Sequence, residues 1–185
     1  MRRRRIISAT LAILLFAGLG FGIGKFFGNR AYDIYNREPV SVTADVPIVN
    51  TAKGQLGNKG GQLFWSWYGF DERVDWCACF VSWCENELDY IDNETAPKFA
   101  MVDDGIGWFR YRDQWYQPDS EDAPAAGDLI FFDWEQDGTQ DHVGIVSAIE
   151  GDKVFTIEGN SSDCCRVKSY ERSNPVIYGY GRISQ

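Results

Sequence analysis

The chain has 185 residues, of which 44% are hydrophobic and 15% aromatic, enough for the core of one domain behind a targeting segment. Residues 1–30 hold six of the 18 basic residues and none of the 27 acidic ones, so the remainder has 12 basic against 27 acidic residues, a net charge of −15. Repulsion at this charge argues against nucleic acid or another polyanion as the partner.

The first 30 residues have the layout of an export signal. Arg2 to Arg5 precede an uncharged apolar run from Ile6 to Gly24. As a helix this run would be about 28 Å long, close to the thickness of the apolar interior of a bilayer and longer than the apolar region of most cleaved signals. We therefore favour a single membrane anchor, with a cleaved signal peptide as the alternative. In both cases the arginines stay inside and the rest of the chain is exported.

A linker and two short segments follow. Residues 31–44 contain Pro39 and no sustained period, which indicates a tether. A short helix is expected next, with Asp45 as its N-cap and Gly57 at its end. We interpret residues 62–75 as an aromatic loop whose rings cover the core, with a substrate groove as the alternative.

The segment "DWCACFVSWCENELDY", residues 75–90, is predicted to form a helix with Asp75 as N-cap, because its apolar and thiol residues recur at helical spacing. Cys77 falls in the first turn, where free backbone N–H groups and the positive end of the helix dipole stabilise a thiolate. Cys77 is therefore the predicted nucleophile. Cys79 and Cys84 are expected to be buried packing residues or disulfide partners.

Neither a metal nor a cofactor is predicted. Cys-x-Cys-x4-Cys within one helix does not converge on a tetrahedral zinc ion. The acidic residues of 133–141 have the spacing of a calcium loop, but Gly144 stands where the closing glutamate would be. Calcium binding is thus an alternative to a solvated acidic hairpin. Pairing of Cys164 or Cys165 with another cysteine is left open by the sequence.

From residue 127 onward the hydrophobic pattern changes to that of strands. Four strands are predicted, with the sequences "GDLIFF", "HVGIVSAI", "KVFTIEG" and "VIYGYGRI". Helices followed by strands, without βαβ alternation, predict an α+β fold with an antiparallel sheet.

The register of the second and third strands follows from parity. In both strands the apolar residues have odd numbers. If both strands bury the same face of the sheet, an odd-numbered residue of one strand must therefore lie opposite an odd-numbered residue of the other. An odd-numbered loop satisfies this, most simply three residues around Gly151, with Ile149 opposite Lys153.

The same register places three polar residues together. His142, the one histidine of the chain, begins the second strand, and Glu158 and Asn160 come to lie beside it. A nucleophilic thiol needs a nearby base, and His142 is the imidazole available to Cys77. A carboxylate or an amide beside the ring would fix its orientation, so Glu158 or Asn160 is the candidate for that third role.

Four segments, "WCACFVSWC", "GDLIFFDW", "DHVGIV" and "TIEGNSSD", in this order, resemble the CHAP domain, the cysteine, histidine-dependent amidohydrolase/peptidase family. The resemblance covers about residues 48–182. It implies a papain-like fold, with N-terminal helices packed on an antiparallel β-sheet. Cys77 matches the nucleophile and His142 the base, with Glu158 and Asn160 completing the site.

The resemblance also implies a function, because family members typically cut amide bonds in bacterial peptidoglycan. The expected protein is an extracytoplasmic cysteine hydrolase, either an N-acetylmuramoyl-L-alanine amidase or a stem-peptide endopeptidase, with residues 45–185 as its catalytic domain. It would lie at the cell membrane with an extracellular domain, or in the cell wall if the signal is cleaved. The alternative is an inactive CHAP-fold module that binds the wall or serves as a scaffold.

Overall fold

The computed structural model describes residues 45–184. The signal or anchor predicted in residues 1–30 and the linker predicted in residues 31–44 lie outside the described residues. In the described range, no helix combines the length and the apolar character needed to cross a membrane.

Four α-helices precede most of the sheet in the described part of the chain. They are α1 (Pro47–Lys53), α2 (Gln62–Tyr68), α3 (Cys77–Asn86) and α4 (Val102–Tyr111).

Helix α1 confirms the predicted helix, but both of its predicted ends are wrong. Val46 is the N-cap residue and makes no side-chain cap bond, and Gly54 rather than Gly57 caps the end. The Asp45 carboxylate instead accepts a hydrogen bond from the Asn50 side chain, 2.5 Å away. Because this bond satisfies the carboxylate within the first turn, the helix begins without a side-chain cap.

Helix α2 occupies residues 62–68 of the segment predicted to be an aromatic loop, so the prediction is wrong there, whereas residues 69–75 form a loop and the rings cover the core as predicted. Aromatic residues have modest helix propensity, but packing overrides propensity where a side chain is buried. Phe64 is fully buried, and its ring stacks on Trp76 with centroids 5.4 Å apart and meets the edge of Phe80 at 5.2 Å. The helix is therefore stabilised by its contact with α3.

Helix α3 is the central helix of the domain. Cys77 lies in its first turn, as predicted, and every residue from Cys77 to Glu85 is buried. The predicted N-cap is wrong, because Trp76 holds that position without a side-chain cap bond. The Asp75 carboxylate accepts a hydrogen bond from Asn160 Nδ2 at 2.9 Å instead.

The sheet has six antiparallel strands in the described residues, in the order β1-β6-β2-β3-β4-β5. The strands are β1 (Trp115–Tyr116), β2 (Leu129–Phe132), β3 (His142–Glu150), β4 (Lys153–Glu158), β5 (Arg166–Glu171) and β6 (Ile177–Gly181). The α+β architecture with an antiparallel sheet agrees with the prediction. Strands β1 and β5 were not predicted, since β1 has two residues and β5 is an edge strand that buries Val167 alone.

The β3–β4 hairpin corrects the predicted loop. Glu150 lies opposite Lys153, so the loop has two residues rather than three, and Ile149 faces Val154. A β-bulge between Val146 and Ala148 adds one residue to β3. This extra residue restores the pairing of odd-numbered with odd-numbered residues that a two-residue loop would otherwise prevent. Beyond the bulge Ile145 faces Ile157, which is the predicted register. The predicted pairing therefore holds at the end of the hairpin that carries His142 and Glu158.

Apolar side chains cover both faces of the sheet, because successive residues of a strand point to opposite sides. One cluster joins the helices to Leu129, Phe131, Val143, Ile145 and Ile157. The second cluster contains Ala123, Ile130, Phe132, Val146, Val154, Ile177 and Tyr180, with Ile149 packed against it. Ile149 thus leaves the face of Ile145, because the bulge lies between them.

Gly159 allows the end of β4 to approach α3 closely. A Cβ atom on Gly159 would lie 2.5 Å from Phe80 Cβ, a distance that real Cβ atoms do not reach. Phe80 is about one helical turn from Cys77. The absence of a side chain at Gly159 therefore keeps the strand that carries Glu158 against the helix that carries Cys77.

We expect Gly159→Ala to destabilise the protein by about 1–3 kcal/mol, because the added methyl group overpacks the helix–strand contact. Urea unfolding of the full chain measures this change. Gly107→Ala is the matched control, since it adds the same methyl group inside α4 where no atom lies within 4 Å. The control should leave stability unchanged or raise it slightly. Equal stability of Gly159→Ala and wild type would contradict the close contact.

Candidate active site

Three of the four predicted site residues come together. Cys77 begins α3, His142 begins β3 and Glu158 ends β4. The Cys77 side chain lies near enough to the imidazole to raise its pKa, and the ring's Nε2–H donates to Glu158 Oε2 across 3.1 Å. Because Nε2 is taken by the carboxylate, Nδ1 is the ring nitrogen left for the sulfur. The order sulfur, imidazole, carboxylate is that of a nucleophile, its base and the group that orients the base.

Asn160, the fourth predicted residue, has a different partner. Its amide Nδ2 donates to Asp75, two residues before the nucleophile, rather than to His142. A second tie lies beside it, since Arg73 Nη2 is 2.8 Å from Asp163 Oδ1. Together these two bonds hold the segment before Cys77 to the loop that follows β4. Asn160 therefore holds the segment before Cys77, and Glu158 is the residue that orients the imidazole.

Glu158 is almost fully buried and fully supplied with hydrogen-bond donors. Thr156 Oγ1 donates to its Oε1 at 2.6 Å and the Tyr170 hydroxyl donates to the same atom at 2.8 Å. Burial by itself raises the pKa of this carboxyl, but the bonds from His142, Thr156 and Tyr170 outweigh burial and the pKa is lowered. Glu158 is therefore ionised at neutral pH.

Sequence reasoning missed Thr156 and Tyr170. Thr156 could have been predicted, because it lies two residues before Glu158 and residues two apart in a strand lie on the same face. Tyr170 could not, since it lies on β5, the strand that was not predicted.

The imidazole of His142 is held in its protonated form. Burial of the ring lowers its pKa, but the hydrogen bonds and charges of Cys77 and Glu158 outweigh burial and raise the pKa of His142 to about 10. At neutral pH the ring is an imidazolium between two groups that gain from its charge. A proton is thus available next to the sulfur without any external acid.

Aromatic rings surround the histidine on its outer side. The Trp134 and Phe132 ring centroids lie 5.8 Å and 5.9 Å from that of His142. Trp134 stacks on Phe132 at 4.6 Å and is partly exposed. These rings restrict the movement of the imidazole. The sequence analysis did not select Trp134, although it lies within the quoted segment "GDLIFFDW".

Cys79 and Cys84, the other two cysteines of α3, are poor nucleophiles. All five cysteines are unpaired in the structure. Burial, and then the nearby charge of Cys77, raise the pKa of Cys79 to about 11. Burial and then the nearby Cys165 raise the pKa of Cys84 well above its ordinary value. Cys79 and Cys84 are thus the buried packing residues of the prediction, without the disulfide alternative.

The acidic segment 133–141 is organised by its own hydrogen bonds. The Asp133 carboxylate accepts bonds from the backbone N–H groups of Asp137 and Gly138, at 3.1 Å and 2.9 Å. Asp141 Oδ2 accepts a bond from the Trp134 backbone N–H at 2.7 Å. Among residues 45–184, no set of three or more His, Cys, Asp or Glu side chains is grouped to hold a metal ion.

A cysteine, a histidine and a carboxylate in this order are the side chains that thiol hydrolases use. The CHAP domain family model matches residues 67–160, just over half of the chain. That range includes Cys77, His142, Glu158 and Asn160. The chain belongs to the CHAP domain family, as the sequence resemblance indicated.

Several solved structures are similar to this chain. Ly7917 is 16% identical with a TM-score of 0.46, over 74% of this chain and 61% of that one. NlpC1 from Trichomonas vaginalis is 16% identical with a TM-score of 0.44, over 80% and 48% of the two chains. A lipoprotein-like NLP/P60 family protein from Staphylococcus aureus subsp. aureus Mu50 is 18% identical with a TM-score of 0.44, over 80% and 45%.

The chain therefore spans between 45% and 61% of the length of these three solved structures. A comparison with curated proteins found no match.

Because the chain has one histidine, the imidazole C2–H proton NMR signal of the untagged protein titrates His142 alone. We expect wild type to stay protonated well above neutral pH, with a pKa near 10. Cys77→Ala and Glu158→Gln should each lower the pKa of His142, since each removes a side chain whose interaction with the ring raises that pKa. Lys153→Met, at the distant end of β4, is the control and should leave the titration unchanged. An unshifted titration in both site variants would contradict the described geometry.

Gly144 makes room for the Glu158 side chain across β3 and β4. A Cβ atom on Gly144 would lie 2.8 Å from Glu158 Cγ. We expect Gly144→Ala to displace the carboxylate from His142 and to slow alkylation of Cys77 by iodoacetamide on the order of tenfold. Gly107→Ala, in open space, should react at the wild-type rate. If Gly144→Ala reacts as fast as wild type and titrates identically, Glu158 does not depend on this gap.

Proposed function

We propose that the protein is an exported cysteine hydrolase that cleaves amide bonds in bacterial peptidoglycan, as an N-acetylmuramoyl-L-alanine amidase or a stem-peptide endopeptidase. The observation that carries the proposal is the placement of His142 between Cys77, at the start of α3, and Glu158, to which its Nε2 is hydrogen-bonded. Membership of the CHAP domain family supports peptidoglycan as the substrate class.

In the first half of the reaction, the Cys77 sulfur attacks the amide carbonyl carbon and forms a C–S bond. Backbone N–H groups at the beginning of α3 are free of helical partners and stabilise the resulting oxyanion. His142 Nδ1 gives its proton to the leaving nitrogen, and the C–N bond breaks. The amine leaves and an acyl-enzyme remains.

In the second half, a water molecule attacks the acyl carbon while neutral His142 accepts one of its protons. The C–S bond breaks, the acid product leaves, and the thiolate and imidazolium are restored. Glu158 keeps its bond to Nε2 throughout, so Nδ1 stays directed at the reacting atoms. The Glu158 charge also stabilises the imidazolium each time it forms.

The proposed location is outside the cytoplasm, either at the membrane or in the cell wall. The arginine cluster followed by the apolar run of residues 6–24 supports export. The net charge of −15 beyond residue 30 does not favour binding to anionic lipid, so contact with the membrane would come from the N-terminal segment.

Purified peptidoglycan, digested and analysed by mass spectrometry of the released muropeptides, tests the proposal. We expect wild type to release products and Cys77→Ser and His142→Ala to lose activity by about a thousandfold or more. Cys164→Ser is the matched control, because its hydroxyl can keep the bond that Cys164 Sγ makes to the Cys165 carbonyl. The new ends of the products identify which amide bond was cut.

Undiminished digestion by either site variant would refute the mechanism. A wild-type protein that binds peptidoglycan without cleaving it, and whose Cys77 resists iodoacetamide at neutral pH, would instead be a non-catalytic wall-binding module.

A further inference from the structure

A cavity of about 300 Å³ lies beside the imidazole of the candidate active site. His142 and Glu158 both line it, so it borders the site directly. Asn160 lines it as well, and the Asn160 amide donates to Asp75, two residues before Cys77. The cavity therefore adjoins both the base and the loop that holds the segment before the nucleophile.

Lys168 contributes a positive charge to the lining of this cavity. In β5 it lies opposite Thr156 of β4 and two residues before Tyr170. Residues that oppose each other in neighbouring strands, or lie two apart in one strand, have side chains on the same face of the sheet. Thr156 and Tyr170 both donate to Glu158, so Lys168 lies on the face that carries this carboxylate. The Lys168 side chain is exposed and lines the cavity.

The charge of Lys168 is not used by the fold. In the described part of the chain, the cations that form ion pairs are Arg73, Arg112, His142, Lys153 and Arg182. Lys168 is not among them. Glu158 is the acidic residue of the lining, and the opposite charge of His142 offsets it. Lys168 therefore gives the cavity a net positive charge, although the chain beyond residue 30 has a net charge of −15.

Neutral groups of the lining suit an anionic peptide. Ser161 and Ser162 line the cavity, and within residues 45–184 neither hydroxyl makes a hydrogen bond, so both can donate to a ligand oxygen. The partly exposed ring of Trp134 supplies apolar surface on the same cavity. A single ammonium suits a singly charged carboxylate better than a doubly charged phosphate. The lining therefore favours a carboxylate with an organic chain attached.

The position of the cavity suits the leaving part of the substrate. In the proposed reaction His142 gives its proton to the leaving nitrogen. The peptide that continues from this nitrogen must therefore pass the imidazole. The cavity lined by His142 offers that peptide a place to bind.

We propose that Lys168, with the Ser161 and Ser162 hydroxyls and the Trp134 ring, forms a subsite that binds a carboxylate of the substrate's stem peptide beside His142. The inference rests on the proposed function, since stem peptides of peptidoglycan carry carboxylates. The ammonium supplies a charge-assisted hydrogen bond, and the ring packs on the adjoining peptide. The subsite selects stem peptides with free carboxylates over their amidated forms.

Binding to the Cys77→Ala variant tests the subsite without turnover. Because the chain has one histidine, its imidazole C2–H proton NMR signal reports ligands that bind beside His142. The two probes are a soluble muropeptide with free stem carboxylates and the same muropeptide with those carboxyls converted to carboxamides. We expect the acidic probe to shift the signal and to bind about tenfold more tightly. Adding Lys168→Met should abolish this preference, and adding Lys168→Arg should retain most of it.

Lys153→Met in the Cys77→Ala background is the control for loss of one positive charge. Lys153 is exposed at the opposite end of β4 from Glu158, so this variant should keep the preference. The proposal is overturned if Cys77→Ala binds both probes equally, if it binds neither, or if the preference survives Lys168→Met. An acidic probe that binds without moving the His142 signal would also overturn it.

None of these outcomes depends on cleavage, so failure of the subsite is distinguishable from failure of the proposed function. Digestion of peptidoglycan by wild type, with equal binding of the two probes, would leave the hydrolase standing and remove the subsite. A preference that depends on Lys168, in a protein that digests nothing, would support the subsite within a non-catalytic wall-binding module.

Discussion

The site depends on a buried carboxylate, that of Glu158, placed behind a buried imidazole. An ionised carboxylate is costly to bury unless donors satisfy it. Here Thr156, Tyr170 and His142 all donate to it. The carboxylate therefore keeps its charge, and that charge keeps His142 protonated and correctly turned. Three neighbouring strands, β3, β4 and β5, each contribute one or more of these groups, so the sheet itself builds the site.

Close packing at two glycines makes this arrangement possible. At Gly144 the space that a Cβ atom would occupy is taken by the Glu158 side chain, and at Gly159 it is taken by Phe80. The first gap lets the carboxylate cross to the imidazole. The second brings α3 against the end of β4. In both places the absence of a methyl group decides a distance on which the chemistry depends.

The loop after β4 connects the two halves of the site. Asn160 and Asp163 of this loop bond to Asp75 and Arg73, which lie just before the nucleophile. The loop also follows directly on Glu158, so one segment fixes both the orienting carboxylate and the approach of the chain to Cys77. Helix α3 begins without a side-chain cap, and the segment ahead of it is held by tertiary contacts.

Local patterns in the sequence determined that Cys77 lies in the first turn of a helix, the α+β order of elements, and the register that sets Glu158 beside His142. They suffice because helical spacing and strand parity are properties of short segments. The bulge at the β3–β4 hairpin, the edge strand that brings Tyr170, and the bond of Asn160 to Asp75 were decided by the tertiary structure. Each of these features depends on contacts between residues that are distant in the sequence, or on burial that overrides a local preference. A short sequence pattern does not contain that information.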